Sequence, residues 1–256
     1  MIHLKTPQEI EIMKIGGKIL KDVLKSVREE AKPGVKLSYL DELAQNLIVS
    51  KGASPSFKRV KGYKWTICAC VNDVVVHGIP TDYKIAEGDV VGIDCGVYYQ
   101  GFHTDAAWTI KVENGKWKME SGKDEVDRFL ETGEKAFREA IKQVKLGNYI
   151  YDISKAIQDN VEGANYSVVK TLVGHGVGRE LHEEPEIPCF TKGKREMTPE
   201  LVTGMVLAIE IIYNMGSKEV VYKGNDGWTI ATKDGRISGL FEATVAVTSH
   251  GCLVLT

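Results

Sequence analysis

The sequence lacks the marks of several large protein classes. It has no Cys-x-x-Cys pair, and its five cysteines (Cys68, Cys70, Cys95, Cys189 and Cys252) are an odd number. Both facts argue against a zinc ribbon and against a disulfide framework. Cys68, Cys70 and Cys95 lie in apolar runs and read as small buried thiols. No apolar stretch approaches the roughly 20 residues of a membrane span. Charges interrupt the opening MIHLKTPQEIEIMK, so it does not read as a signal peptide. No membrane is therefore expected as a partner, and the reducing cytoplasm is the expected compartment. Neither sign of charge dominates: the net charge is −2. A nucleic-acid tail or a membrane-surface patch is not expected from that balance, nor is a specific nucleic-acid partner. No GxGxxG or Walker motif sits at a strand–helix junction, which leaves nucleotide binding without support.

What is present is an ordinary globular composition, 43% hydrophobic and 27% charged, over 256 residues. That length suits one large domain, or two small halves that share a core. Thr6, Pro7 and Glu9 read as N-cap, first-turn proline and capping-box acid. Ile10, Met13, Gly17, Leu20, Leu24 and Val27 then recur at helical spacing until Lys32-Pro33-Gly34. Ser38 is read as the cap of a second helix, with Leu40, Leu43, Leu47 and Ile48 on one face and Gly52 at its end. Phe129, Ala136, Phe137, Ala140, Ile141 and Val144 predict a third helix, closing near Gly147. Ile153, Ala156, Ile157 and Val161 predict a fourth.

Strands are expected at 65–71, at 89–97 and 102–112 as a hairpin, and in several segments after Ser167. The order is helix, helix, strands, then the same again. Such segregated runs argue an α+β class, in which two similar halves meet across a cleft.

Four carboxylates occupy positions that disfavour them. With Tyr99 and Gln100 as the hairpin tip, Asp94 faces Asp105 across the ladder, with Cβ atoms about 4.5–5.5 Å apart. Opposed carboxylates repel, so either a cation lies between them or one keeps its proton. Glu210 sits in the apolar run MVLAIEIIY, and Glu242 in LFEATVAV. A buried carboxylate without a partner costs several kcal/mol, and neither run contains Lys or Arg. His175 is framed by glycines in VGHGVG, while His182 follows in LHEEP and His77 stands in VVVHGIP. Four carboxylates and one imidazole suit Mn, Co, Fe or Mg, or paired Zn, better than a single structural zinc. Paired cations equip a hydrolase for a carbonyl or a phosphoryl centre, and composition does not choose between the two.

The ordered set HGIP, IDCG, FHTDAA, GHGVG, LHEEP, AIEI and FEATV resembles the methionine aminopeptidases, and the likeness runs from TPQEIE to GCLVLT. It implies the pita-bread fold: one catalytic domain, 1–256, with pseudo-symmetric halves of about 1–120 and 121–256 around a dimetal cleft. The short spacing between His182 and Glu210 resembles the type I enzymes, in the short bacterial form that lacks a zinc-finger extension. The resemblance further implies removal of the initiator methionine from nascent proteins, with a small second residue preferred.

The site residues implied are these. Asp105 and Glu242 bridge two divalent cations (Co, Mn, Fe or Zn). Asp94 chelates one ion, and His175 and Glu210 complete the other. Glu210 accepts the proton of the attacking water, His182 hydrogen-bonds the scissile carbonyl oxygen, and His77 contacts the substrate near the scissile amide. Tyr63 and Trp228 line the methionine pocket. The expected partners are N-terminal Met peptides and nascent chains at the ribosome exit, and the expected state is a monomer. Within the same resemblance, an Xaa-Pro peptidase and a metal-free binding module are the alternatives. Departures from the family pattern are Lys64, Val76, Leu181 and Ala243.

Overall fold

The computed structural model describes residues 1–113 and 124–256. The expected boundary between halves, near residue 120, lies outside the described residues.

Helix α1 (Pro7–Glu30) starts on the predicted capping box. The Glu9 N–H donates to Thr6 Oγ1 at 3.3 Å, and the Thr6 N–H donates to the Glu9 carboxylate at 2.8 Å. Its apolar stripe is buried. Gly17 belongs to that stripe because a Cβ there would strike the Leu255 carbonyl. Helix α2 (Leu37–Ser50) corrects one expectation: its N-cap is Lys36, and Ser38 lies inside the first turn. The Ser38 hydroxyl donates instead to Asp82 Oδ1 at 2.7 Å. A side-chain cap is unnecessary, because the Leu37 and Ser38 N–H groups donate to the carbonyls of Tyr83 and Thr81.

The first half continues through β1 (Ser54–Pro55), β2 (Ile67–Val71), β3 (Val74–Val76), β4 (Val90–Tyr99) and β5 (Phe102–Lys111). The second half repeats the helix pair as α3 (Glu125–Lys142) and α4 (Ile150–Glu162). It then runs through β6 (Ser167–Val168), β7 (Val173–Gly176), β8 (Glu183–Pro188), β9 (Val206–Asn214), β10 (Val220–Tyr222), β11 (Ile230–Thr232), β12 (Ser238–Thr248) and β13 (Gly251–Val254). Among the described residues, a ten-stranded antiparallel sheet follows the order β1-β4-β5-β12-β9-β7-β8, with β2, β6 and β13 pairing off that path. A small second sheet joins β10, β11 and β3.

Two pairs of long strands, β4–β5 and β9–β12, meet side by side at the centre. Helix α1 packs on the first pair and α3 on the second. Trp108 marks the junction: Arg28 of α1 lies over its ring at 5.0 Å, and Phe137 of α3 meets it edge-on at 5.9 Å. Strand alternation therefore sends Ile93, Trp108, Ile211 and Phe241 toward the helices. Their neighbours Asp94, Ala107, Glu210 and Glu242 face the opposite side.

The hairpin register differs from the expected one. Tyr99 pairs with Phe102, so the tip is Gln100-Gly101, and Asp94 faces Ala107 while Asp105 faces Gly96. Both tip residues are left-handed, with φ of 46° and 95°. This is the type I′ geometry, whose twist matches the strands and which glycine adopts at little cost. Asp94 and Asp105 remain on one face, as diagonal rather than direct neighbours.

Candidate metal centre

The four carboxylates come from four adjacent strands of one sheet face. Glu210 and Glu242 are direct cross-strand partners. His175 is paired with Ala208, which sets it diagonal to Glu210. Its Nε2 lies 3.5 Å from Glu210 Oε1. Asp105, His175 and Glu242 each offer one ligand atom, all within 4.8 Å of one another. Asp94, Asp105, His175 and Glu242 are buried. Among the described residues, Asp94 Oδ1 and Glu242 Oε1 have no hydrogen-bond partner, and no Lys or Arg forms an ion pair with any of the four acids.

Such crowding has a clear electrostatic signature. Burial, and then Glu210, push the Asp94 carboxyl up to about 8. Asp105 is raised well above the carboxylate range by burial and by Asp94; Glu210 and Glu242 are raised by burial and by Asp105. Desolvating one ion costs several kcal/mol, so the cluster either holds protons or holds cations. Burial, and then His182, lower His175 to about 4, so its imidazole is neutral near pH 7. His175 Nδ1 lies 2.8 Å from the Gly176 carbonyl, which places the proton on Nδ1 and leaves the Nε2 lone pair facing Glu210. A metal-binding histidine is oriented in the same way. Two orphan carboxylate oxygens, an oxygen-rich donor set and an oriented neutral imidazole all fit divalent cations.

The seam beneath these acids is built from two threonines. The Asp105 N–H donates to Thr244 Oγ1, and the Thr244 hydroxyl donates to the Asp105 carbonyl, both at 2.8 Å. Thr109 makes the matching pair with Leu240, at 2.8 and 2.9 Å. Hydroxyls thus replace direct ladder bonds between β5 and β12, which share only the Phe241–Trp108 pairing. Threonine is an ordinary strand residue, and nothing in the sequence singled these two out.

Beside the acids opens a cavity of about 150 Å³, walled by Phe57, Val60, Tyr63, Cys68, Leu181 and Trp228. Tyr63 meets Trp228 edge-on at 5.1 Å. Its hydroxyl donates to the Ile67 carbonyl at 2.9 Å, and burial keeps the phenol neutral. A cavity of this size holds a benzene-sized guest; a methionine side chain has fewer heavy atoms.

The predicted residues Tyr63 and Trp228 are therefore brought together, and His77 and His182 line the same cavity. The His182 ring stands 4.4 Å from that of His175, and the His77 ring 6.4 Å from Trp228. His77 adopts φ of 54°, a strained backbone for a residue that is not glycine. Of the departures, Leu181 and Val76 line the cavity, Lys64 points to solvent, and Ala243 alternates to the other face of β12. Phe57, Val60 and Cys68 were not predicted. They belong to a short 3-10 turn and a strand whose pattern reports burial and not purpose.

The model of metallopeptidase family M24 matches residues 11–249 of the chain. A methionine aminopeptidase of Clostridium perfringens is 42% identical, and the match covers 100% of the chain and 99% of that protein. One of Escherichia coli K12 is 36% identical, over 100% of the chain and 94% of that protein. The crystal structure of methionine aminopeptidase from Thermotoga maritima superposes with a TM-score of 0.92 at 39% identity, covering 100% of the chain and 99% of its own. Prolidase from Pyrococcus furiosus shares the pita-bread fold, with a TM-score of 0.76 at 24% identity over 65% of its chain.

Proposed function

The chain belongs to metallopeptidase family M24, within it to the methionine aminopeptidases, and we propose that it removes N-terminal methionine with two divalent cations held by Asp94, Asp105, His175, Glu210 and Glu242. One observation carries this reading. Three buried carboxylates and a partly buried fourth converge with no Lys or Arg partner among the described residues, two of their oxygens unbonded, beside an aromatic cavity of methionine size.

Asp94, Asp105, His175, Glu210 and Glu242 would hold the two ions, with Asp105 and Glu242 placed centrally among the donors. When bound, the pair (Co, Mn, Fe or Zn) makes water acidic and stabilises negative charge on the scissile carbonyl oxygen. Glu210 takes the proton of the attacking water on a carboxylate oxygen and passes it to the leaving amine. His182 donates an N–H to the carbonyl oxygen as charge builds there. His77 steadies the peptide beside the scissile amide. Tyr63 and Trp228 grip the thioether on their ring edges.

The catalytic unit is one domain, 1–256, acting as a monomer. Its substrates are Met peptides and nascent chains with a small second residue, met at the ribosome exit in the cytoplasm. None of the described helices is long and apolar enough to cross a membrane, and the five cysteines are free thiols. A peptide panel tests the reading. Met-Ala-Ser should be cleaved and Xaa-Pro dipeptides left intact; the reverse preference would assign the chain to the prolidase branch.

A further inference from the structure

Lys5 lies outside the cavity and outside every motif above. Its side chain is nevertheless 5% exposed and pairs with Glu183, whose side chain is 7% exposed. Among the Lys and Arg ion pairs of the described residues, no other has both side chains so buried. The Lys5 ammonium also donates to the His3 carbonyl at 2.9 Å, and the Lys5 N–H donates to the Gly204 carbonyl at 2.7 Å. The N-terminal segment is thus fastened by backbone and side chain.

Glu183 begins β8, directly after His182, and pairs with Gly176 beside His175. One of its oxygens takes Lys5; the other accepts the Glu180 N–H at 3.2 Å. The turn between β7 and β8 closes on further bonds: the Gly178 N–H donates to Glu180 O at 3.0 Å, and the His103 N–H to Gly178 O at 2.7 Å. Gly178 lacks a Cβ where the Lys5 stem crosses the turn. A buried ion pair adds little net stability, since apolar replacements of similar size are often neutral or better. What this pair supplies is a fixed place for the turn.

We propose that Lys5 is a positioning residue for the reaction: through Glu183 it holds the turn that presents His182 to the cleft. This rests on the role given to His182 above. The N-terminal segment, remote from the cavity in sequence, thereby forms part of the working site.

The test uses the metal-loaded full-length chain as wild type, Lys5→Arg, and the double variant Lys5→Met/Glu183→Gln, which leaves no unpaired charge to unfold the protein. Turnover of Met-Ala-Ser is measured together with the rate at which diethyl pyrocarbonate modifies His182, read by peptide mass spectrometry with exposed His250 as the internal control. The double variant should lose about 10- to 100-fold in kcat with KM little changed. Its His182 reactivity should change while that of His250 does not. Lys5→Arg, which keeps the pairing charge, should leave both at the wild-type level. Unchanged His182 reactivity, or unchanged kcat, in the double variant overturns the proposal. A wild-type chain that cleaved no Met peptide would instead count against the functional reading, and the His182 rate would still report on the tether.

Discussion

Without its metals, the chain should lose thermal stability as the pH rises from 6.5 to 8. Asp94 has its folded-state pKa raised from 3.8 to about 8. A raised group contributes stability that is fully present below its unfolded value and is lost as pH climbs through the folded one. Between pH 6.5 and 8 the unfolded chain has already released this proton while the folded chain retains it. Each retained proton costs about 1.4 kcal/mol per pH unit, so Asp94 alone removes about 2 kcal/mol across that window. In a chain of this size that is a fall in Tm of about 4–8 °C. Asp105, Glu210 and Glu242 are raised as well and act in the same direction.

The window is chosen to isolate the carboxylates. The buried histidines are lowered from 6.5, His175 and His103 to about 4, so their opposing effect ends near pH 6.5. The buried cysteines, raised from 9.0, do not titrate below pH 8. The assay is thermal melting by circular dichroism in chelator at three pH values, repeated with excess Mn. The metal-loaded curve should be flatter and higher. A metal-free Tm that stays level or rises from pH 6.5 to 8 would refute the electrostatic account of the cluster.

Other outcomes follow from single side chains. Glu242→Ala should cut Met-peptide turnover by at least about 100-fold, since on the proposed reading it removes a metal ligand and leaves three crowded acids; a peptidase assay with metal in excess checks this. Trp228→Ala should raise KM for Met peptides by about 10-fold through lost contact area, with kcat less affected, as initial rates would show. Thr244→Val keeps the shape but strands the Asp105 N–H and carbonyl. It should cost about 1–3 kcal/mol in urea unfolding and weaken metal binding measured by calorimetry.

Legibility from sequence followed the distance over which each feature is decided. The capping box of α1 spans three positions, and it was readable because its partners are local. Glu210 and Glu242 were readable because a carboxylate inside an apolar strand has few explanations. The hairpin register differs from the sequence expectation by one residue at the tip. Gly101 carried the needed signal, since glycine is the residue that accepts a left-handed turn position cheaply. Ser38 resembles a cap locally, but the carbonyls of Thr81 and Tyr83, far along the chain, fill that role. The Thr109–Leu240 and Thr244–Asp105 links, like the Lys5–Glu183 pair, join residues more than a hundred positions apart. No local pattern encodes such contacts, and each exists only once both halves have packed.

The most direct measurement is Met-Ala-Ser hydrolysis by protein stripped of metal, with Mn, Co, Fe and Zn returned separately while bound ions are counted. Activity should vanish on stripping and return with at least one of these cations as occupancy reaches two ions per chain. Hydrolysis that persisted at full rate in chelator, or that peaked with a single bound ion, would contradict a centre built on Asp94, Asp105, His175, Glu210 and Glu242.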